Sequence, residues 1–198
     1  MNIVFDLGGV VFNWQPRKLV RRLFADTAAR ELVIAEIFGS ADWIELDRGT
    51  LCRDEAIVRG ASRTGIAIED IARLFAAVPA SLTPINETID LIRSLDRTDH
   101  RLYVLSNMHT ASIDHLEKHH DIWDLFDGIV ISSRVRMVKP EPGIYRYVLN
   151  QFELCAEQTV FIDDLPENLT AAASVGIRTI LFENAARCRE DLIGLECL

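Results

Sequence analysis

The sequence is short of the features that mark exported, membrane-embedded or polyanion-binding chains. Its four cysteines, Cys52, Cys155, Cys188 and Cys197, include no CxxC pair. That excludes a zinc knuckle or a dense disulfide framework and fits reduced thiols in the cytosol. No segment approaches eighteen uninterrupted apolar residues, so a membrane span is not expected. The opening Met1-Asn2-Ile3-Val4-Phe5-Asp6 has no basic leader ahead of a long apolar stretch, so export is not expected and a cytoplasmic location is. Positive charge is in deficit: 21 Lys and Arg face 30 Asp and Glu, for a net charge of -9. Such a balance argues against nucleic acid or an anionic membrane surface as partner and favours a small molecule. Internal repeats and low-complexity linkers are absent as well, so every segment is expected to pack.

What is present is an apolar, ordered chain. At 198 residues, with 49% hydrophobic and 26% charged positions, it can bury one substantial core and an elaboration of it. Short runs rich in Val, Ile, Leu, Tyr and Phe occur at 2–5, 101–105, 128–131, 159–162 and 178–182, with helical patterns between them. Continuous hydrophobicity suits strands covered on both faces, and intervening helices supply the crossovers that parallel strands need. The expected fold is α/β, a Rossmann-like parallel sheet with helices on both faces. Between Val10 and Thr83 the apolar spacing turns helical, as in Leu19-Leu23-Phe24 and Ile71-Leu74-Phe75, without a convincing strand. The expected organisation is a core of residues 1–14 and 83–198 carrying a helical cap at 15–82. Thr83-Pro84 is read as the opening of the returning helix, Thr as its cap and Pro in its first turn.

Polar residues that close an apolar strand are the ones to collect, because open α/β sheets bind ligands beyond the carboxyl ends of their strands. The first strand ends in Asp6, the second in Ser106-Asn107, the third leads through Ser132-Ser133 to Lys139-Pro140, and the fourth ends in Asp163-Asp164. Ionised carboxylates brought to ~4 Å repel by about 4 kcal/mol at an effective dielectric near 20, so such a cluster demands a cation. All-oxygen ligands favour Mg²⁺. Lys139 adds a positive charge suited to a dianionic phosphoryl group.

The succession Phe5-Asp6-Leu7-Gly8-Gly9-Val10, Leu105-Ser106-Asn107, Val138-Lys139-Pro140 and Phe161-Ile162-Asp163-Asp164 resembles the four motifs of the haloacid dehalogenase superfamily. The likeness covers essentially the whole chain. It is nearest to the phosphatase branch that includes bacterial α-D-glucose-1-phosphate phosphatase and the amino-terminal phosphatase domain of soluble epoxide hydrolase. Gly143-Ile144-Tyr145 and Glu167-Asn168 add to it. The resemblance implies that Asp6 attacks phosphorus and becomes an aspartyl phosphate that water hydrolyses. It also implies Mg²⁺ between Asp6, the Gly8 carbonyl and Asp164, with Asp163 as a further ligand or as a partner of one. Ser106 and the Asn107 amide hold phosphoryl oxygens, and Lys139 neutralises nucleophile and transferring group. Glycine at 8 and 9 is read as needed for close approach of the backbone.

Most phosphatases of the superfamily carry a second Asp two residues after the nucleophile, and here that position is Gly8. A positioned general acid is worth ~10² to 10⁴ in rate. Either the leaving group tolerates poor protonation, or a cap residue, His109 or an ordered water stands in. In the cap, Trp43 packs on a sugar face while Arg48 or Asp47 binds its hydroxyls, or else Trp43 and Leu46 simply form a buried helix face. His115, His119 and His120 are read as a solvated helix face rather than a zinc site, and Trp14 and Trp123 as packing. The expected activity is Mg²⁺-dependent hydrolysis of small phosphorylated metabolites, hexose 1-phosphates favoured, by a monomer or homodimer. A 2-haloacid dehalogenase and a weakly catalytic phosphate-binding regulator are the alternatives.

Overall fold

The computed structural model describes residues 1–96 and 99–195. Five parallel strands form the main sheet: β1 (Asn2–Phe5), β4 (Arg101–Ser106), β5 (Gly128–Ile131), β6 (Thr159–Asp163) and β7 (Arg178–Leu181), in the order β5-β4-β1-β6-β7. A second ribbon pairs β2 (Phe12–Asn13) with β3 (Thr83–Pro84) antiparallel. The helices are α1 (Pro16–Leu23), α2 (Thr27–Val33), α3 (Ala41–Arg48), α4 (Arg53–Thr64), α5 (Ile68–Ser81), α6 (Asn86–Leu95), α7 (Thr110–His119), α8 (Ser132–Val135), α9 (Pro142–Gln151), α10 (Pro166–Ala173) and α11 (Ala185–Gly194).

Side-chain alternation explains why the strands read as unbroken apolar runs. Ile3, Phe5, Leu102 and Val104 face one way, into a cluster with Ile92 of α6, Ile113 of α7 and Leu192 of α11. Val4, Tyr103, Leu105 and Phe161 face the other way, against Ile144, Tyr145 and Val148 of α9 and Leu169 of α10. With both faces covered, neither parity of the strand tolerates a polar residue. Helices α1 to α5 bury a separate cluster that includes Leu19, Val33, Leu46, Ile71 and Leu74. No helix among the described residues is long and apolar enough to cross a membrane.

One local expectation is corrected. Thr83-Pro84 does not open the returning helix; it forms β3, and α6 begins at Asn86. The Thr83 hydroxyl that would have capped a helix instead accepts from Asn13 Nδ2 at 3.2 Å, and Ile85 N–H bonds the Val11 carbonyl at 2.8 Å. Pairing with residues about seventy positions away thus outcompetes a local cap, and a two-strand ribbon marks where the chain leaves the sheet layer and returns to it.

Candidate active site

The strand order reverses at β1, with β4 on one side and β6 on the other, and this places three strand ends around one crevice. Phe5 is in register with Val104 and with Ile162, so Asp6 and Asp163 leave their strands side by side. The turn after Asp6 depends on Gly9. Its φ is +79°, and a Cβ there would lie 2.3 Å from Asp164 Oδ2. Gly8 is under no such demand: a Cβ would meet only Trp14 Cβ, at 3.7 Å, an ordinary contact. Within the protein itself, then, the backbone and its packing demand glycine at 9 and not at 8.

Lys139 is the centre of the buried network. The residue is 4% exposed, and its ammonium bonds Asp6 Oδ1 at 2.9 Å and Asp163 Oδ2 at 2.7 Å. Burial opposes its charge, but the two carboxylates outweigh that and hold it protonated above the ordinary lysine range. Its backbone is fixed by Asn107, whose side chain accepts from Lys139 N–H at 2.8 Å and donates to the Lys139 carbonyl at 2.9 Å. The Asn107 side chain thereby ties the Lys139 loop to the end of β4. Asp163 receives Lys139, the Leu165 amide at 2.8 Å and both 3.0 Å bonds from Asn168 Nδ2. Tyr145 in turn donates to the Asn168 carbonyl at 2.9 Å, which gives a structural reason for the Tyr and Asn that follow the third and fourth motifs.

Carboxylate oxygens of Asp6, Asp163 and Asp164 lie within 4.8 Å of one another, the one such group of acidic, His or Cys side chains among the described residues. Burial, only partly offset by Lys139, raises Asp6 to about 6. Burial and the neighbouring Asp163 raise Asp164 too. Three acids against one ammonium form a donor set that fits a hard divalent cation. With both Asp163 oxygens already engaged, Asp6 and the half-buried Asp164 are the carboxylates open to it. Ser106 is buried at the end of β4; its hydroxyl is near enough to Asp6 to favour the ionised carboxyl but makes no well-formed hydrogen bond among the described residues, which suits a phosphoryl oxygen.

Above these groups is a cavity of about 320 Å³ lined both by residues of the strand ends and by residues of the α1 to α5 segment. Trp43 borders it, stacked on Trp14 at 6.0 Å and edge-on to His109 at 5.6 Å. Asp47 lines it as well. Arg48 is not brought there: its guanidinium holds both oxygens of Glu141, at 2.7 and 2.8 Å, on the outer surface. Burial of its imidazole, with Arg53 adding to the effect, lowers His109 to about 4. Trp14, Met108 and Leu165 also line the cavity, and nothing in their spacing distinguishes them from ordinary packing residues. On α7, the His115 and His119 rings lie 4.2 Å apart, near the surface and without a third ligand among the described residues.

A family model described as haloacid dehalogenase-like hydrolase matches residues 52–182. The chain belongs to that family. This hydrolase is 32% identical over 194 residues to a sesquiterpene phosphatase of Aspergillus oryzae, covering 96% of the chain and 95% of the relative. It is 27% identical over 210 residues to a D-ribitol-5-phosphate phosphatase of Bacteroides thetaiotaomicron, covering 96% of each. Among solved structures it superposes on a predicted haloacid dehalogenase-like hydrolase from Porphyromonas gingivalis with a TM-score of 0.74 and 26% identity, over 97% of both chains. The relatives similar to it along nearly their whole length thus include two phosphatases with differently named substrates.

Proposed function

We propose that the protein is a Mg²⁺-dependent phosphomonoesterase that works through an aspartyl phosphate on Asp6. The observation that carries this reading is the buried Lys139 ammonium bonded at once to Asp6 and Asp163 within a three-carboxylate cluster. Lys139 keeps the nucleophilic carboxylate ionised despite its burial and lowers repulsion as a dianionic phosphoryl group arrives. Ser106 and the Asn107 amide orient that group for in-line attack. Asp163 positions Lys139. Asp6, Asp164 and the Gly8 carbonyl are the groups that would hold Mg²⁺, which when bound supplies charge neutralisation at the phosphoryl oxygens. Residues 15–82 act as the cap over a core of 1–14 and 83–198. The three described cysteines are all free, in keeping with a reducing compartment.

The cavity lining bears on the leaving alcohol. Trp14, Trp43, Val78, Leu82, Met108 and Leu165 make much of the lining, and burying an apolar alcohol there contributes roughly 25 cal/mol per Å². Sugar hydroxyls would need polar partners, yet His109 and Ser112 already bond each other at 3.1 Å. The site is therefore read as favouring the phosphate ester of a bulky apolar alcohol, such as an isoprenoid monophosphate, over a hexose 1-phosphate. The sesquiterpene phosphatase relative supports the same choice.

Hydrolysis of p-nitrophenyl phosphate, with and without Mg²⁺, is expected to be metal-dependent in the wild type and lost in Asp6→Asn. Across farnesyl monophosphate, ribitol 5-phosphate and glucose 1-phosphate, kcat/KM is expected to be highest for the isoprenoid. A hexose preference would reverse the pocket argument alone. Metal-free chloride release from 2-chloropropionate without any phosphate hydrolysis would replace the whole reading with dehalogenation.

A further inference from the structure

Whichever alcohol leaves, its oxygen needs a proton, and position 8 carries only glycine. A different carboxyl is available. Asp47 lies in the last turn of α3 and lines the same cavity as Asp6, Gly8 and Lys139. Three consecutive attachments hold that turn against the sheet layer. Ser132 Oγ donates to the Asp47 carbonyl at 2.5 Å while accepting from Met108 N–H at 2.9 Å. Arg48 grips Glu141. Gly49 takes φ +77°, and a Cβ there would lie 2.4 Å from the Ser133 carbonyl oxygen. An acid at a helix carboxyl end also opposes the helix dipole, so fold stability alone does not account for this one.

We propose that Asp47 is the general acid and base of this phosphatase, supplied by the helical insertion in place of a side chain at position 8. The proposal rests on the phosphomonoesterase reading. In the first step an Asp6 oxygen bonds phosphorus, the bond from phosphorus to the ester oxygen breaks, and the Asp47 carboxyl gives its proton to that oxygen, releasing the neutral alcohol. In the second step the Asp47 carboxylate takes a proton from water as the water oxygen bonds phosphorus. The bond between Asp6 and phosphorus breaks, inorganic phosphate leaves, and Asp47 is again protonated. Net consumption is one water per ester.

The surroundings suit that role. Burial raises Asp47 to about 7, opposed by the His109 main chain and the Trp43 side chain, with Asp6 adding to the rise and Lys139 opposing it. A proton that is half lost near neutral pH suits a group that must both give and take one. Of the other titratable groups lining the cavity, Asp6 and Lys139 form the nucleophile pair, Asp164 belongs to the metal cluster, and Glu167 sits at the exposed start of α10. His109 is the rival, but it is neutral at pH 7 and bonded to Ser112.

The test is single-turnover kinetics at saturating Mg²⁺ over a series of phosphate esters from p-nitrophenyl to primary alkyl. The wild type is expected to show a shallow dependence on leaving-group basicity. Asp47→Asn is expected to lose ~10² to 10⁴ in the phosphorylation step with the alkyl ester but under about tenfold with p-nitrophenyl phosphate, whose leaving group needs little protonation. With that aryl ester it should show a burst of one phenolate per enzyme, then slow turnover. Adding Gly8→Asp should restore alkyl turnover. An equal loss across the series overturns the assignment. So does a steep dependence in the wild type, a result that stands even where Asp47→Asn fails to fold. No Mg²⁺-dependent turnover by the wild type on any ester would instead sink the phosphomonoesterase reading beneath it.

Discussion

Two aspartates in this chain differ in the company their oxygens keep. Asp163 is fully buried, yet it accepts from Lys139, Asn168 and the Leu165 amide, so its charge is met on every side. Asp47 has fewer partners, and burial wins, raising it from 3.8 to about 7. A carboxyl whose folded pKa is raised binds more protons folded than unfolded, so its contribution to stability is present below pH 3.8 and is lost as pH rises through about 7. Asp47→Asn is isosteric and removes that penalty. In metal-free protein it is expected to raise Tm at pH 8, by about 2–4 °C for each kcal/mol of penalty removed, with the difference shrinking toward pH 4. Thermal melts at the two pH values check it, and a Tm lowered at pH 8 would contradict the burial argument. The strand-end residues Asp6, Ser106 and Asp163-Asp164 were legible from sequence because an apolar run stopping at a polar residue is a local signal. The unequal surroundings of Asp163 and Asp164 were not, since they depend on an amide donated by Asn168.

At the scale of elements, the turn from α3 through Gly49 shows how a helix end is aimed. Ser40 caps the start of α3, accepting from Trp43 N–H at 3.3 Å, and Gly49 ends it in the left-handed conformation. Both signals are local. The closeness of Gly49 to the Ser133 backbone is not local, and it makes the glycine doubly required: by φ and by contact. Gly49→Ala is expected to cost about 1–3 kcal/mol. It should also lower kcat on alkyl phosphates by displacing Asp47. Urea unfolding and steady-state kinetics measure the two effects. By contrast Gly65, also at positive φ, has nothing within 4 Å of its Cβ position, so Gly65→Ala carries only the conformational part and leaves kcat unchanged.

Across the whole molecule, the helical cluster of α1 to α5 and the sheet with its flanking helices meet around the cavity, with Arg48 and Glu141 paired at the rim. The pair is bidentate, but Glu141 is nearly half exposed, so solvent and salt screen it. A double-mutant cycle of Arg48→Ala and Glu141→Ala is expected to give a coupling of about 1 kcal/mol or less, falling toward zero at high salt. A coupling of several kcal/mol would mean that the pair, rather than the buried contacts of Gly49 and Ser132, sets how the helical layer docks.

The order and spacing of the motifs, the five parallel strands and the helical character of the inserted segment were all determined by the sequence alone. Each is written in hydrophobic periodicity and in the polar residues that stop it, which are properties of neighbours along the chain. The tertiary structure decided the rest: Thr83 paired with Asn13 instead of capping a helix, Arg48 was drawn to Glu141, and Asp47 was left lining the cavity with Asp6. Those outcomes turn on partners tens of residues away, and which distant group reaches a side chain first is a matter of packing geometry that no local pattern encodes.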